Sequence, residues 1–188
     1  WRPNGPSYTP SRWDGQLNTR RPTSITEVPD GTSKTAMWSE FVKGHGLDTP
    51  TRLSSLTEIY EIGTPPGHGS GSHYDIGVLD AMVMACRDAA ANGTGAWHWK
   101  GEYWIWANAG RGGGYQHTAG PNDMSCKSND GGCRERSLVN GPITASSMHG
   151  GGVNVAHVDG SVAFIQDTID IAVWRQLGTA DSALASGL

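Results

Sequence analysis

The pattern of apolar and polar positions is most regular between Tyr74 and Ala91, where apolar residues recur near i, i+3 and i+7 spacing. Asn92-Gly93 follows this segment in the position of a helix C-cap. The pattern predicts the main helix of the chain over 74–91. Its expected core-facing positions are Ile76, Leu79, Val83 and Cys86 or Ala90.

Residues 35–42 alternate between apolar and polar side chains after the turn-like Pro29-Asp30-Gly31, which predicts a β-strand. Side chains two residues apart on a strand point the same way, so we expect Ala36 and Trp38 to share one face. This pattern is typical of a strand with one face against the core.

Toward the C-terminus, two alternating segments, 152–158 and 161–165, flank Asp159-Gly160. A two-residue Asp-Gly connection suits a type I′ turn, whose central residues both need positive φ, so we predict a β-hairpin here. Residues 169–177 predict a short closing helix that ends at Gly178.

A second hairpin is predicted in the tryptophan-rich segment after the main helix. A turn at Lys100-Gly101 would join two strands with aromatic side chains on both faces. These tryptophans could stack on a sugar or form a subunit contact, or they could fill the core of a chain with only two phenylalanines. The candidate ligand-binding or interface residues are Trp97, Trp99, Trp104 and Trp106.

The composition favours a loop-rich α+β fold with one main helix, a small antiparallel sheet and long glycine-rich loops. The chain has 27 glycines and 10 prolines, and 36% of its residues are hydrophobic, which argues against a helical bundle. A chain of 188 residues is long enough for one domain with its own core. We expect a single globular domain over 1–188, with an extended lead-in over 1–29, a head over 30–180 and a tail over 181–188.

The net charge of −4 argues against a nucleic-acid partner, because no run of Lys or Arg is longer than the pair Arg20-Arg21. No stretch reaches the roughly 20 apolar residues that span a bilayer. The chain begins at Trp1 without an initiator Met or a signal peptide, so we expect an N-terminal segment to precede it in the natural protein.

The three cysteines allow one disulfide. Cys126 and Cys133 lie seven residues apart in a polar loop, whereas Cys86 lies in an apolar run. Cys126–Cys133 is therefore the local pairing, while a bond from Cys86 to either of them stays open. An oxidised pair would indicate an exported protein, because the cytosol keeps thiols reduced.

Three blocks of sequence carry a resemblance to a known family. The C-terminal block places nine residues between His149 and Asp159-Gly160 and continues to Val-Trp-Arg-x-Leu-Gly-Thr at 173–179. Upstream, Asp-Gly-x-Ser-x-Thr at 30–35 leads to Glu40, and Pro-Asn-x-x-x-Cys occupies 121–126. In this order the blocks resemble a prepilin-like, pseudopilin-related bacterial family with a C-terminal His-x9-Asp-Gly motif, a domain of unknown function also catalogued as solute-binding-protein-like. The motif residues here are Asp30, Gly31, Glu40, His149, Asp159 and Gly160.

The resemblance implies a leader cleaved by a prepilin peptidase, a long apolar helix that anchors or polymerises the protein, and an exported pilin-like α+β head. The leader and the long helix are absent from these 188 residues, so we expect them upstream of Trp1. Any membrane contact would then be made by that missing helix. The acidic Gly-Gly-Glu ending that the resemblance implies is replaced here by ADSALASGL.

The polar motif residues have a chemical and a structural interpretation. A histidine such as His149 could bind zinc or act as a general base, and Asp159 could be a catalytic carboxylate. We favour the structural interpretation, in which His149 hydrogen-bonds the glycine-rich segment before the hairpin and Asp159 is selected by turn geometry. Glu58 and Glu61 are expected on a solvated face.

Two groups of donor side chains raise a metal hypothesis. His45, His68 and His73 share a glycine-rich region, but their spacing fits no zinc pattern. The loop around Cys126 offers hard oxygen donors that suit calcium, without the regular spacing of an EF-hand. The candidate calcium ligands are Asn122, Asp123, Asn129 and Asp130.

The sequence contains no Gly-x-Ser-x-Gly, phosphate-binding loop or His-Glu-x-x-His, so we expect a protein that is not an enzyme. The first hypothesis is a structural subunit of a pilus-like or type II secretion pseudopilus-like assembly, in contact with copies of itself or with other pilin-like subunits. The alternative is an exported module that binds a solute or glycan through the tryptophan-rich hairpin. A metal-dependent hydrolase built on His149 is a weaker third option. Each hypothesis places the protein at the bacterial cell surface, outside the cell or in the periplasm.

Overall fold

The fold is α+β, with six strands and two helices in the part of the chain that the structure describes. The computed structural model describes residues 24–46, 55–63, 76–93, 96–103, 105, 110–128 and 141–181. No helix in these ranges is long and apolar enough to cross a bilayer. In chain order the elements are β1 (Ala36–Ser39), β2 (Ile59–Ile62), α1 (Ile76–Asn92), β3 (Ala96–Trp97), β4 (Ser125–Ser128), β5 (Gly152–His157), β6 (Val162–Gln166) and α2 (Ile171–Leu177), with 3-10 turns at Ile25–Glu27 and Ser55–Thr57.

The first sheet is antiparallel and has the strand order β1-β5-β6. β5 and β6 form the predicted C-terminal hairpin, in which Val153 lies opposite Ile165 and Val155 opposite Ala163. One face of this sheet packs against α2. The buried residues of this first core are Ala36, Ala145, Val153, Val155 and Trp174.

Both predicted helices are present. α2 begins after Asp170, whose carboxylate accepts hydrogen bonds from the N–H groups of Ala172 and Val173, and it ends at Gly178 as predicted. In α1 the spacing correctly predicts three buried positions, although Ile76 is 57% exposed. The buried residues of α1 are Leu79, Val83, Cys86 and Ala89.

The prediction that Ala36 and Trp38 share a face of β1 is wrong. Ala36 lies opposite His157 while Trp38 lies opposite Ala156, so β1 has one more residue than β5 over this interval. A β-bulge of this kind reverses the alternation of side chains beyond it. Ala36 is accordingly 4% exposed and Trp38 60% exposed, on opposite faces of the sheet.

The turn of the C-terminal hairpin is not the predicted type I′ turn. The His157 N–H donates to the Ser161 carbonyl at 2.8 Å, so the loop contains three residues, Val158, Asp159 and Gly160. Gly160 has a φ of 85°, whereas Asp159 is not among the residues with positive φ. This is a type I turn followed by a left-handed glycine. The longer loop needs positive φ at the glycine alone, which spares Asp159 the steric cost of that conformation.

The second sheet has the strand order β3-β2-β4 and is mixed. β2 runs antiparallel to β3 and parallel to β4, so the small sheet expected from the sequence is one of two, and the second contains a parallel pair. Helix α1 packs on β2. The buried residues of this second core are Tyr60, Ile62, Cys86, Ala89 and Cys126.

Cys126 is bonded to Cys86, which corrects the local Cys126–Cys133 pairing and selects one of the alternatives left open. The two residues are 0% and 1% exposed, and their Cα atoms are 5.7 Å apart. The parallel pairing of β4 with β2 brings Cys126 to α1, and the sequence gives no sign of that pairing. Cys133 lies outside the described residues.

The tryptophan-rich hairpin does not form as predicted in the described residues. The turn at Lys100-Gly101 is present, since the Glu102 N–H donates to the Trp99 carbonyl at 3.2 Å and Gly101 has a φ of 65°. β3 pairs with β2, however, and the Tyr103 N–H donates to the carbonyl of Arg111. Trp104 and Trp106 lie outside the described residues.

Candidate functional site

Motif residues from distant parts of the sequence meet beside the first sheet. The Glu40 carboxylate accepts hydrogen bonds from the backbone N–H of Asn154 at 2.8 Å and from its side-chain amide at 3.1 Å. Nε2 of His149 lies 3.2 Å from Oε1 of Glu40. Together with Asn122, these residues form what we call the motif junction (Glu40, Asn122, His149 and Asn154).

Asn122 brings the Pro-Asn motif into this junction. Within the described ranges it is the one non-glycine residue with positive φ, at 59°, and it occupies the third position of a turn closed by the Asp123 N–H and the Gly120 carbonyl. Its side chain accepts from the N–H of Ser147 at 2.8 Å and donates to the carbonyl of Gly152 at 3.2 Å. Asparagine tolerates this conformation better than most residues. The motif therefore ties the 120–123 turn to the start of β5.

The remaining motif residues hold the ends of the first sheet together. In the hairpin turn, the N–H groups of Val158 and Asp159 donate to the carbonyls of Thr35 and Thr32, at 3.0 and 3.2 Å. The Thr179 hydroxyl donates to the Asp30 carboxylate at 3.3 Å. The N-terminal and C-terminal motifs are thus in direct contact.

The motif junction contains an ionised carboxylate at neutral pH. Burial raises the pKa of Glu40, but hydrogen bonds from Asn154 and Ser147 and the nearby His149 outweigh that effect, so its pKa lies below the usual value. The His149 side chain is 65% exposed. An ionised acceptor bonded by several protein donors positions the surrounding backbone. The His149 side chain contacts this carboxylate, and its predicted hydrogen bond to the glycine-rich segment stays a prediction.

The face of the first sheet that points away from α2 is apolar and exposed. Trp38, Ala156 and Val162 form a row across β1, β5 and β6, and Phe164 lies beside Asn154 in the next row. The large side chains of this surface are 60%, 65% and 49% exposed for Trp38, Val162 and Phe164. We call these four residues the outer face (Trp38, Ala156, Val162 and Phe164).

A third feature lies at the end of the second sheet. His45, Glu58 and His98 each place a potential ligand atom within 4.8 Å of those of the other two, and we call them the histidine–glutamate cluster. Glu58 is 0% exposed, and the side chain of His98 is 11% exposed. The rings of His45 and His98 stack with centroids 4.6 Å apart. The expectation that Glu58 is solvated is therefore wrong.

The structure describes two of the four predicted calcium ligands, Asn122 and Asp123. The amide group of Asn122 is engaged by backbone groups, and the Asp123 carboxylate binds Arg87 at 2.6 Å and the Met124 N–H at 2.8 Å. Asn129 and Asp130 lie outside the described residues, as do His68 and His73. Both oxygen-donor side chains that the structure describes thus already serve protein contacts.

The predicted tryptophan platform is described only in part. The backbone of Trp97 pairs with Ile59, and the Trp99 ring lies beside Gly46, where a Cβ would be 3.5 Å from the ring. Sequence reasoning missed the apolar outer face, because the bulge in β1 decides where Trp38 points. It also missed Glu58 and His98 as possible metal ligands, although the apolar segment before Ile62 gave a signal that this part of the chain is buried.

A family model described as "SBP_bac_10: Protein of unknown function (DUF1559)" matches residues 4–172 of the chain. This range includes the first two motif blocks and the third block up to residue 172, at the beginning of α2. No curated protein and no solved structure matches the chain.

Proposed function

Since this chain belongs to the DUF1559 (SBP_bac_10) family, whose function is unknown, we propose that it is a structural subunit of an extracellular pilus-like or type II secretion pseudopilus-like assembly. The subunit contributes surface and contacts, and its neighbours are copies of itself or related pilin-like subunits. The exposed outer face is the observation that carries this proposal.

The outer face has the character of a subunit contact. Large contiguous apolar patches are uncommon on monomeric proteins, and aromatic side chains are enriched in protein interfaces. Trp38 and Phe164 supply two such side chains on one sheet face, and Val162 lies in the same row as Trp38. The occupant that we propose for this face is a neighbouring copy of the chain in the assembly.

The polar edge of the outer face supports a defined orientation of that neighbour. Asn154 lies in the same row as Phe164, and its side chain is held by Glu40. The exposed His149 lies against the same oxygen of that carboxylate, with Nε2 3.2 Å from Oε1. Polar groups at the rim of an apolar patch fix register more than they add affinity.

The disulfide supports an exported location. Cys86 and Cys126 are buried in the second core and bonded to each other. Such bonds persist in oxidising compartments, which include the periplasm and the cell surface. We therefore propose that the head works outside the cytoplasm.

The proposal is tested by cryo-electron microscopy of the full-length protein isolated from the bacterium that makes it. We expect filaments in which the outer face of each subunit is covered by its neighbour. Substitution Val162→Glu places a charge in that contact and should weaken assembly by roughly 10-fold or more, the range expected for an unpaired interfacial charge.

Ile105→Glu is the matched control, because Ile105 is an apolar residue that is 72% exposed outside the outer face. The control should assemble like the wild type. Discrete monomers of the wild-type protein, or filaments in which the outer face remains open to solvent, would contradict the proposal. Equal loss of assembly in both variants would also contradict it.

A further inference from the structure

Backbone pairing brings the histidine–glutamate cluster together. β2 and β3 pair with Ile59 opposite Trp97, and continuing that register places Glu58 opposite His98. The segment that carries His45 runs beside the residues that follow β3. The N–H of Gly44 donates to the Lys100 carbonyl at 2.7 Å, and that of Gly46 donates to the His98 carbonyl at 2.9 Å.

Glycine is required for this approach. A Cβ on Gly44 would overlap the carbonyl oxygen of His98, so no other residue lets the two segments lie so close. Gly46 has a φ of 67°, which also favours glycine. The backbone itself therefore holds the two imidazoles and the carboxylate close together.

Two members of the histidine–glutamate cluster are buried and present atoms that can bind a cation. Nδ1 of His98 is buried and has no hydrogen-bond partner in the part of the chain that the structure describes. It lies 3.8 Å from Oε1 of Glu58, a fully buried carboxylate. A cation between these two groups would be bound by the Glu58 carboxylate and by Nδ1 of His98 together.

We propose that His45, Glu58 and His98 bind a divalent transition-metal ion, with zinc as the preferred ion. Two imidazoles and one carboxylate form an established three-residue ligand set for Zn²⁺, and they leave a fourth position for water or another ligand. Imidazole nitrogen is a poor ligand for calcium and magnesium, which prefer oxygen.

The distances require a small closing movement on binding. Tetrahedral zinc with bonds of about 2.0–2.2 Å places its ligand atoms roughly 3.4 Å from one another. The ligand atoms of the cluster lie within 4.8 Å, and the pair from Glu58 and His98 is at 3.8 Å. Side-chain rotations that move the ligand atoms by about an ångström are enough to bring the three atoms to the spacing of a zinc site. The ion would fasten the 44–46 segment to the second sheet.

Isothermal titration of the metal-free chain with Zn²⁺ tests the proposal. We expect stoichiometric binding by the wild type and a loss of more than about 100-fold in affinity for His98→Gln and for His45→Gln, since loss of outer-shell partners alone costs 10–100-fold. The matched control is His149→Gln, which removes a histidine that also lies against a glutamate, Glu40, but in the motif junction. It should bind Zn²⁺ like the wild type.

X-ray absorption of the zinc-loaded wild type gives a second readout that does not depend on how the variants fold. We expect nitrogen and oxygen ligands at about 2.0–2.2 Å and no sulfur ligand at about 2.3 Å. A sulfur shell would assign the ion to cysteine and overturn the proposal. No binding by the folded wild type, or unchanged affinity in a folded His98→Gln variant, would overturn it as well. The result is independent of whether the protein assembles.

Discussion

Buried polar side chains of the first core are satisfied by specific hydrogen bonds. Nδ1 of His117 lies 2.8 Å from the Trp174 carbonyl, and Nε2 lies 3.2 Å from the Tyr115 hydroxyl. The His117 ring also stacks on Trp174 with centroids 3.9 Å apart. These contacts suit the neutral ring, which donates from Nδ1 and accepts at Nε2. Burial lowers the pKa of His117 to about 4, against the weaker opposing effect of the Trp174 carbonyl.

This pKa predicts a pH dependence of stability. Between pH 6.5 and pH 4 the unfolded chain binds a proton at His117 that the folded chain excludes, so the free energy of unfolding falls as the pH falls through this window. Because of His117, the free energy of unfolding above pH 6.5 is higher by about 3 kcal/mol than below pH 4. Urea unfolding measures this pH dependence. The free energy of unfolding of His117→Gln should lack this part of the pH dependence, whereas Tyr115→Phe, which leaves the His117 ring buried, should retain it. Parallel pH profiles for wild type and His117→Gln would contradict the prediction.

Single residues were predictable from the sequence where a local conformation selects them. Gly178 lies just beyond a periodic segment, where a helix end favours glycine, and Asn122 was identified only as part of the Pro-Asn motif. The partners of these residues were not predictable. Gly178 lies against the His117 ring, which a Cβ would overlap, and Asn122 binds backbone groups of Ser147 and Gly152. These contacts cross long stretches of chain that carry no local signal.

At the scale of elements, the disulfide joins a helix to a strand. It links Cys86 of α1 with Cys126 of β4, a sequence separation of 40 residues. The second sheet is small, and its central strand β2 has four residues. A covalent link across such a short sheet replaces stability that a larger core would provide, because it restricts the unfolded chain.

Removal of this disulfide should therefore be costly. We expect Cys86→Ala combined with Cys126→Ala to lower the free energy of unfolding by about 4 kcal/mol, the loop-closure value for a separation of this size. Cys133→Ala should change it by less than about 1 kcal/mol. Chemical denaturation compares the variants, and peptide mapping of the non-reduced protein identifies the bond. Recovery of a peptide that links Cys126 to Cys133 would refute the pairing.

Elements were predicted well where periodicity is uniform and poorly where it is interrupted. The spacing in α1 identified Leu79, Val83 and Cys86 as buried because one helix face meets one sheet. In β1 the bulge after Ala36 reversed the face of Trp38. A bulge depends on the partner strand, and the pattern of β1 alone does not contain it.

At the scale of the whole molecule, a few buried polar side chains connect the regions of the two sheets. Ser146 accepts from the N–H of Val42 and from the Lys100 ammonium, both at 3.1 Å. Lys100 is 1% exposed, and burial lowers its pKa to about 7. Arg175 of α2 donates to the Thr118 carbonyl at 3.0 Å and to the Asp80 carboxylate of α1 at 2.7 Å.

The buried Arg175 side chain should therefore contribute more to stability than its ion pair with Asp80 alone. Its side chain is 7% exposed, whereas that of Asp80 is 56% exposed. We expect Arg175→Met to lower the free energy of unfolding by about 2–3 kcal/mol, because it leaves the buried Thr118 carbonyl without its donor. Asp80→Asn removes only a partly hydrated charge and should cost less than about 1 kcal/mol. Urea denaturation measures both, and equal losses would show that the ion pair itself carries the stability.

The sequence by itself determined the α+β class, both helices, the C-terminal hairpin and the family motifs, because periodicity, turn residues and caps act through neighbours along the chain. The tertiary structure alone decided that β4 pairs in parallel with β2, which joins Cys126 to Cys86. It also decided that Trp38 faces outward and that His45 and His98 meet Glu58. Such contacts depend on the free energy of packing all the elements together, to which each local pattern contributes only a part.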